Sequence, residues 1–230
     1  MSNIRFCLII FVIALISYLD YSFNMNGFLL IFTDLLLIFY FSDKSLSPKF
    51  SLNLNINLLF VLIFTFSFYT LYNSLTSIFF IKDNLLRYED LSKYEITKAL
   101  FLYPILEELV FRKYLLPKLA NSKTENKSIV VLSLGFTLTH FLTDSALLYV
   151  FLFSVFLSWI YLKTRNIYLC IASHILNNFL ALICFPMFTY LGNTEAVLLF
   201  VIFLTLTLLI IFTIFKIANF KINTFYNEDE

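Results

Sequence analysis

Charge is scarce in this sequence. Only 13% of its 230 residues are Asp, Glu, Lys or Arg, while 60% are hydrophobic and 20% are aromatic. A water-soluble domain of this length cannot hide so much apolar surface in one core, which excludes a soluble globular protein. The net charge is +1, so no nucleic-acid partner is expected. Glycine is nearly missing, with three residues, and helix packing must rest on Phe and Leu rather than on GxxxG contacts. Cys7, Cys170 and Cys184 are an odd count in apolar runs without ligand spacing, so they read as packing residues and not as a disulfide framework or metal site. Histidine is the rarest informative residue, present only as His140 and His174.

What is there instead is a series of long apolar runs, each near the roughly 20 residues a bilayer demands. They predict an all-α, polytopic membrane helix bundle of about eight transmembrane helices, treated as a single integral membrane domain over 1–230. The expected spans are Phe6–Leu19, Gly27–Phe41, Leu58–Ile81, Ile96–Leu116, Ile129–Leu142, Ala146–Leu162, Ile167–Phe188 and Ala196–Phe215. The first resembles a signal peptide in charge and length. Ser17-Tyr-Leu-Asp20 offers no small-x-small cleavage site, so it is read as a spanning helix. Polar links are expected at Ser42–Asn57, Lys82–Glu95, Asn121–Ser128, Thr143–Ser145 and Lys163–Asn166. Basic residues concentrate on alternate links, from Arg5 through Lys113, Lys118, Lys123 and Lys127 to Lys163, Arg165, Lys216 and Lys221. That bias places both termini in the cytoplasm, in a multi-pass protein of the cell membrane.

Inside the apolar runs stand a few groups that hydrocarbon disfavours. A charge at mid-membrane costs roughly 2.5–3.5 kcal/mol on insertion scales. The fourth run nevertheless carries Glu107, Glu108 and Arg112. Glu108 and Arg112 are spaced i, i+4 and can pair, while Glu107 is turned about 100° away and is left for other work, such as that of a general base. Pro104, a turn earlier, removes a backbone hydrogen bond and is expected to widen the helix. Phe136 and His140 share a face of the fifth run, and His174 and Asn178 share a face of the seventh. With the termini inside, Glu107, His140 and His174 fall roughly 10–17 Å below the cytoplasmic surface, at 1.5 Å rise per residue. They could meet in one cavity open to the cell interior. Asp34 in the second run has no evident partner, and either faces that cavity or lies nearer the surface. Asp144 either orients His140 or caps the short link after it. Trp159 and the tyrosines read as packing or interfacial belt.

Glu107-Glu108-Leu-Val-Phe-Arg112, Phe136-Thr-Leu-Thr-His140 and His174-Ile-Leu-Asn-Asn178 resemble, in order and placement, the EExxxR, FxxxH and HxxxN/D motifs of the CPBP family, the CAAX-protease and bacteriocin-processing (Abi) group of intramembrane proteases. The motif core spans about 96–186. The resemblance implies a CAAX-protease-like core and an intramembrane endopeptidase that cleaves a peptide or a lipidated protein tail. Glu107 would activate the attacking water, with His140 helping to hold or deprotonate it. His174 and Asn178 would stabilise the oxyanion, and Glu108, Arg112 and Phe136 would support the site. No cofactor is obligatory on this reading. The family is often labelled metalloprotease, and a zinc ion, if used, would take Glu107, His140 and His174 as ligands. Two rival classes use the same residues: a non-catalytic membrane protein that binds a peptide for bacteriocin self-immunity, and a transporter or proton relay. The lack of matched glycine- or proline-broken helices weighs against the last.

Overall fold

The computed structural model describes residues 3–23, 25, 27–42, 54–79, 92–121, 123–141, 146–189 and 194–209. Among them the chain forms eight helices and no strand. They are α1 (Asn3–Ser22), α2 (Phe28–Phe41), α3 (Leu54–Phe79), α4 (93–120), α5 (Glu125–Thr139), α6 (Leu147–Thr164), α7 (Ile167–Thr189) and α8 (Thr194–Leu209). Three stretches are long and apolar enough to cross a membrane, Ile4–Ser22, Leu58–Leu75 and Leu147–Thr164. The all-helical membrane architecture expected from the apolar runs is thus what forms. Most of the two long links, Asp144 and the tail beyond 209 lie outside the described residues.

The chain divides into two compact units. The first comprises 1–52 and 90–175, and so holds α1, α2, α4, α5, α6 and the start of α7. The second comprises 53–89 and 176–230, with α3, the rest of α7 and α8. In the second unit Phe66 of α3 meets Phe203 of α8 edge to face, with ring centroids 5.6 Å apart.

In the first unit α4 is the central element. Val110, Leu115, Leu116 and Leu119 are fully buried, as are Leu132 of α5 and Leu157 of α6. Apolar side chains instead face outward on α1 and α2, at Ile4, Phe39 and Tyr40. This inversion suits a helix group solvated by lipid.

Two of the scarce glycines sit where backbones approach. A Cβ on Gly135 of α5 would stand 2.9–3.0 Å from side-chain atoms of Phe6 and Ile10 on α1. Gly27, before α2, has φ +80°, and the Tyr103 ring occupies the space a Cβ would need. The Asp20 carboxylate accepts hydrogen bonds from the amides of Gly27 at 2.8 Å and Leu30 at 3.0 Å. It thereby ties the end of α1 to the first turn of α2.

Helix α4 is not uniform. Ser92 and Glu95 open it with a reciprocal capping box. It then winds as a π-helix over Lys98–Leu102, as an α-helix over Tyr103–Glu108, again as a π-helix over Leu109–Leu115, and finishes as an α-helix over Leu116–Ala120. Pro104 and Pro117 each fall just after a π stretch. Proline lacks an N–H and its ring displaces the carbonyl a turn back, so i→i−4 bonding lapses there. The chain bonds one residue further instead, Tyr103 N–H to Lys98 O and Leu116 N–H to Phe111 O.

Candidate active site

The unusual winding of α4 frames Glu107 and Glu108, which lie in its short α segment between the two π stretches. Adjacent residues on a helix point about 100° apart. The two carboxylates accordingly meet different neighbours.

Glu108 is completely buried and faces Arg112, also completely buried. Arg112 Nη1 donates to Glu108 Oε1 at 3.0 Å, and Arg112 Nη2 donates to Ser154 Oγ of α6 at 2.8 Å. The guanidinium lies over the Phe136 ring, 4.4 Å from its centroid. Phe111 packs edge-on against the same ring, at 5.0 Å. A buried ion pair is a weak source of stability, but removing one partner leaves a bare charge in a dry interior.

Glu108 Oε1 also accepts from Nδ1 of His174 on α7, at 2.8 Å. That bond fixes the His174 ring and turns its Nε2 toward Glu107, 3.8 Å from Glu107 Oε2. Phe153 and Phe136 wall the His174 ring edge-on, with centroids 5.8 and 6.2 Å away.

His140 approaches from the other side. It lies not within its helix but at the C-cap of α5, with φ −96° and ψ 5°. Its Nδ1 is 3.0 Å from the Phe136 carbonyl oxygen. A carbonyl only accepts, so the proton is assigned to Nδ1, which leaves Nε2 as the ring nitrogen without a proton in the neutral form. Nε2 points to Glu107 Oε2 at 4.0 Å. The side chains of Glu107 and His140 are 16% and 20% exposed, whereas that of His174 is 7% exposed. The acid and the two imidazoles therefore converge on one oxygen, at separations longer than a direct hydrogen bond.

Asn178 follows His174 by one helical turn on α7 and belongs to the second compact unit, where its Oδ1 accepts from Asn177 Nδ2 at 3.3 Å. Sequence reasoning gave Arg112 as the partner of Glu108 but missed His174, to which that carboxylate is also bound. It also missed Ser154, whose only signal is a hydroxyl in an apolar run. Asp34, left open between the cavity and the surface, is buried.

Zinc ligands about 2.0–2.2 Å from a shared ion stand about 3.4 Å apart in tetrahedral geometry, closer than Glu107 stands to either histidine. No group of three His, Cys, Asp or Glu among the described residues is placed to hold a metal ion. The donor set as arranged does not fit a zinc site.

Residues 93–180 match the family model described as Type II CAAX prenyl endopeptidase Rce1-like. The match takes in Glu107, Glu108, Arg112, Phe136, His140, His174 and Asn178. The resemblance to the CPBP family carried by the three motifs is thereby found a second way, and it supports a protease-type function. No curated protein and no solved structure matches the chain.

Proposed function

We propose that this chain is a multi-pass intramembrane endopeptidase, in which Glu107 activates a water molecule against a peptide or lipidated protein tail. The observation that carries the reading is the convergence of the two imidazole Nε2 atoms on Glu107 Oε2, at 4.0 and 3.8 Å. A water held between Glu107 and His140 would meet two acceptors, because His140 commits its Nδ1 proton to the Phe136 carbonyl. Either acceptor can take the proton as oxygen attacks the scissile carbonyl.

His174 carries its ring proton on the same nitrogen but gives it to a carboxylate. Its Nδ1 proton goes to Glu108. It can donate from Nε2 only as imidazolium. A donor so charged suits the oxyanion of the tetrahedral intermediate. Asn178, one turn along α7, would supply a second donor. Arg112 would hold Glu108 in place, leaving Glu107 as the base.

The test is purified protein in detergent with a peptide library that includes prenylated tails, with and without chelator. Wild type should cleave, while Glu107→Gln, His140→Ala and His174→Ala should each lose at least about 10²-fold in kcat/KM. Cleavage surviving in Glu107→Gln overturns the assignment. Protection against a bacteriocin that persists in that variant would point to a binding protein. Solute uptake into proteoliposomes would point to a transporter.

A further inference from the structure

Helix α6 meets the site through two consecutive residues. Phe153 walls the His174 ring edge-on, with centroids 5.8 Å apart, and Ser154 Oγ accepts from Arg112 Nη2 at 2.8 Å. From Ser154 a chain of hydrogen bonds runs inward. Arg112 Nη1 donates to Glu108 Oε1 at 3.0 Å, and His174 Nδ1 stands 2.8 Å from that same oxygen. Ser154, Arg112 and Glu108 are fully buried, and His174 is nearly so. Ser154 belongs to none of the three motifs.

The Glu108–Arg112 pair is not made in the way its chemistry favours. A guanidinium beside a carboxylate commonly forms two parallel N–H···O bonds, which hold it better than one. Here a single bond joins the two groups. Glu108 Oε2 and Arg112 Nε are buried, yet neither has a hydrogen-bond partner among the described residues. Leaving such groups unbonded in a dry interior is costly, so something holds the pair out of its forked form. A guanidinium can fork end-on through Nη1 and Nη2, or side-on through Nε and Nη2. Both forms need Nη2, and Nη2 is bound to Ser154. The Phe136 ring, 4.4 Å from the guanidinium carbon, favours the cation but selects none of its N–H groups.

We propose that Ser154 is a positioning residue for His174: its hydroxyl keeps Arg112 out of a two-bond pair with Glu108, which leaves Glu108 Oε1 turned to His174 Nδ1. The proposal rests on the role given to His174 above. Without the hydroxyl, Nη2 turns to Glu108 and the carboxylate rotates to accept both arms of the fork. The His174 ring then loses the bond that aims its Nε2 at Glu107. Phe153 still walls that ring but offers it no hydrogen bond. The site thus gives up the better ion pair to hold an imidazole in place.

Three measurements on the purified, full-length protein test this, comparing wild type with Ser154→Ala and Ser154→Thr. With 15N-histidine labelling, the ring N–H signals come from two residues only, and that of His174 is identified by its loss in His174→Ala. Without substrate, Ser154→Ala should move the His174 Nδ1–H signal upfield, as its bond to Glu108 is weakened. With a farnesylated CAAX peptide, Ser154→Ala should lower kcat by roughly 10²-fold and leave KM unchanged, because the displaced donor acts on the transition state. Its unfolding midpoint in detergent should be no lower than that of wild type, because the forked pair replaces the lost bond. Ser154→Thr keeps the hydroxyl and should restore both the signal and kcat. A His174 signal indifferent to Ser154→Ala, a loss expressed in KM, or a midpoint that falls with the activity overturns the proposal. Undiminished cleavage by His174→Ala would instead remove the role given to His174. The nitrogen signals are recorded without turnover, so the two failures are distinguishable.

Discussion

Helices α3 and α4 both bury polar side chains in an apolar setting, and they do so in opposite ways. In α3, Thr65, Thr70, Asn73 and Ser74 are buried, and each returns a hydrogen bond to the carbonyl four residues back in its own helix. Such bonds satisfy the group where it stands. In α4, the polar groups reach other helices: Arg112 to Ser154, 42 residues away, and Glu108 to His174, 66 residues away. The winding differs too, α3 being α-helical over its described length and α4 being interrupted twice by π stretches. Buried polarity alone therefore does not mark a site. What marks one is polarity whose hydrogen bonds leave the helix, on a backbone that departs from regular winding.

That contrast can be broken by substitution. The largest effect is expected for Arg112→Met, which strands Glu108 at zero exposure without its guanidinium. It should lower stability by roughly 3–5 kcal/mol in a reversible unfolding assay in detergent. Gly27→Ala comes next, since φ +80° and the Tyr103 ring both oppose a Cβ there. A loss of about 1–3 kcal/mol is expected, with poorer packing of α2 on α4. Thr70→Val in α3 removes only a hydrogen bond local to its helix, and should cost about 1 kcal/mol or less. A Thr70→Val loss as large as that of Arg112→Met would erase the distinction between the two helices.

The smallest effect concerns the start of α4, where hydrogen bonds from the Ser92 hydroxyl and amide hold the Glu95 carboxyl below its ordinary range. A carboxyl depressed in the folded state adds stability above its unfolded pKa, and that stability is lost as pH falls through the folded value. Ser92→Ala should therefore differ slightly from wild type in unfolding midpoint near neutral pH, and the difference should shrink on acidification. A difference that grows on acidification would contradict the capping assignment.

Much of the fold was legible because lipid demands long apolar runs, and α7 begins at Ile167 as expected. Other boundaries were less so. Glu125, Asn126 and Lys127 read as a polar link, yet they form the first turn of α5, where exposed polar residues cost nothing. Conversely, His140 reads as part of the last helical turn but stands at the C-cap, with its ring folded back onto the Phe136 carbonyl. Pro104 signalled disturbed winding, but proline chemistry does not say how far the disturbance spreads. The pairing of Glu108 with Arg112 follows from i, i+4 spacing. Its second bond, to His174, depends on how α7 packs beside α4, and no local pattern encodes that.

The most direct test of the account compares the two adjacent glutamates, measuring unfolding midpoint and peptide cleavage for Glu107→Gln and Glu108→Gln in the same detergent. The account predicts that Glu107→Gln keeps the wild-type midpoint and loses turnover, while Glu108→Gln loses both, because its carboxylate holds Arg112 and His174 together. Turnover retained by Glu107→Gln, or a collapse of stability in that variant alone, would contradict it.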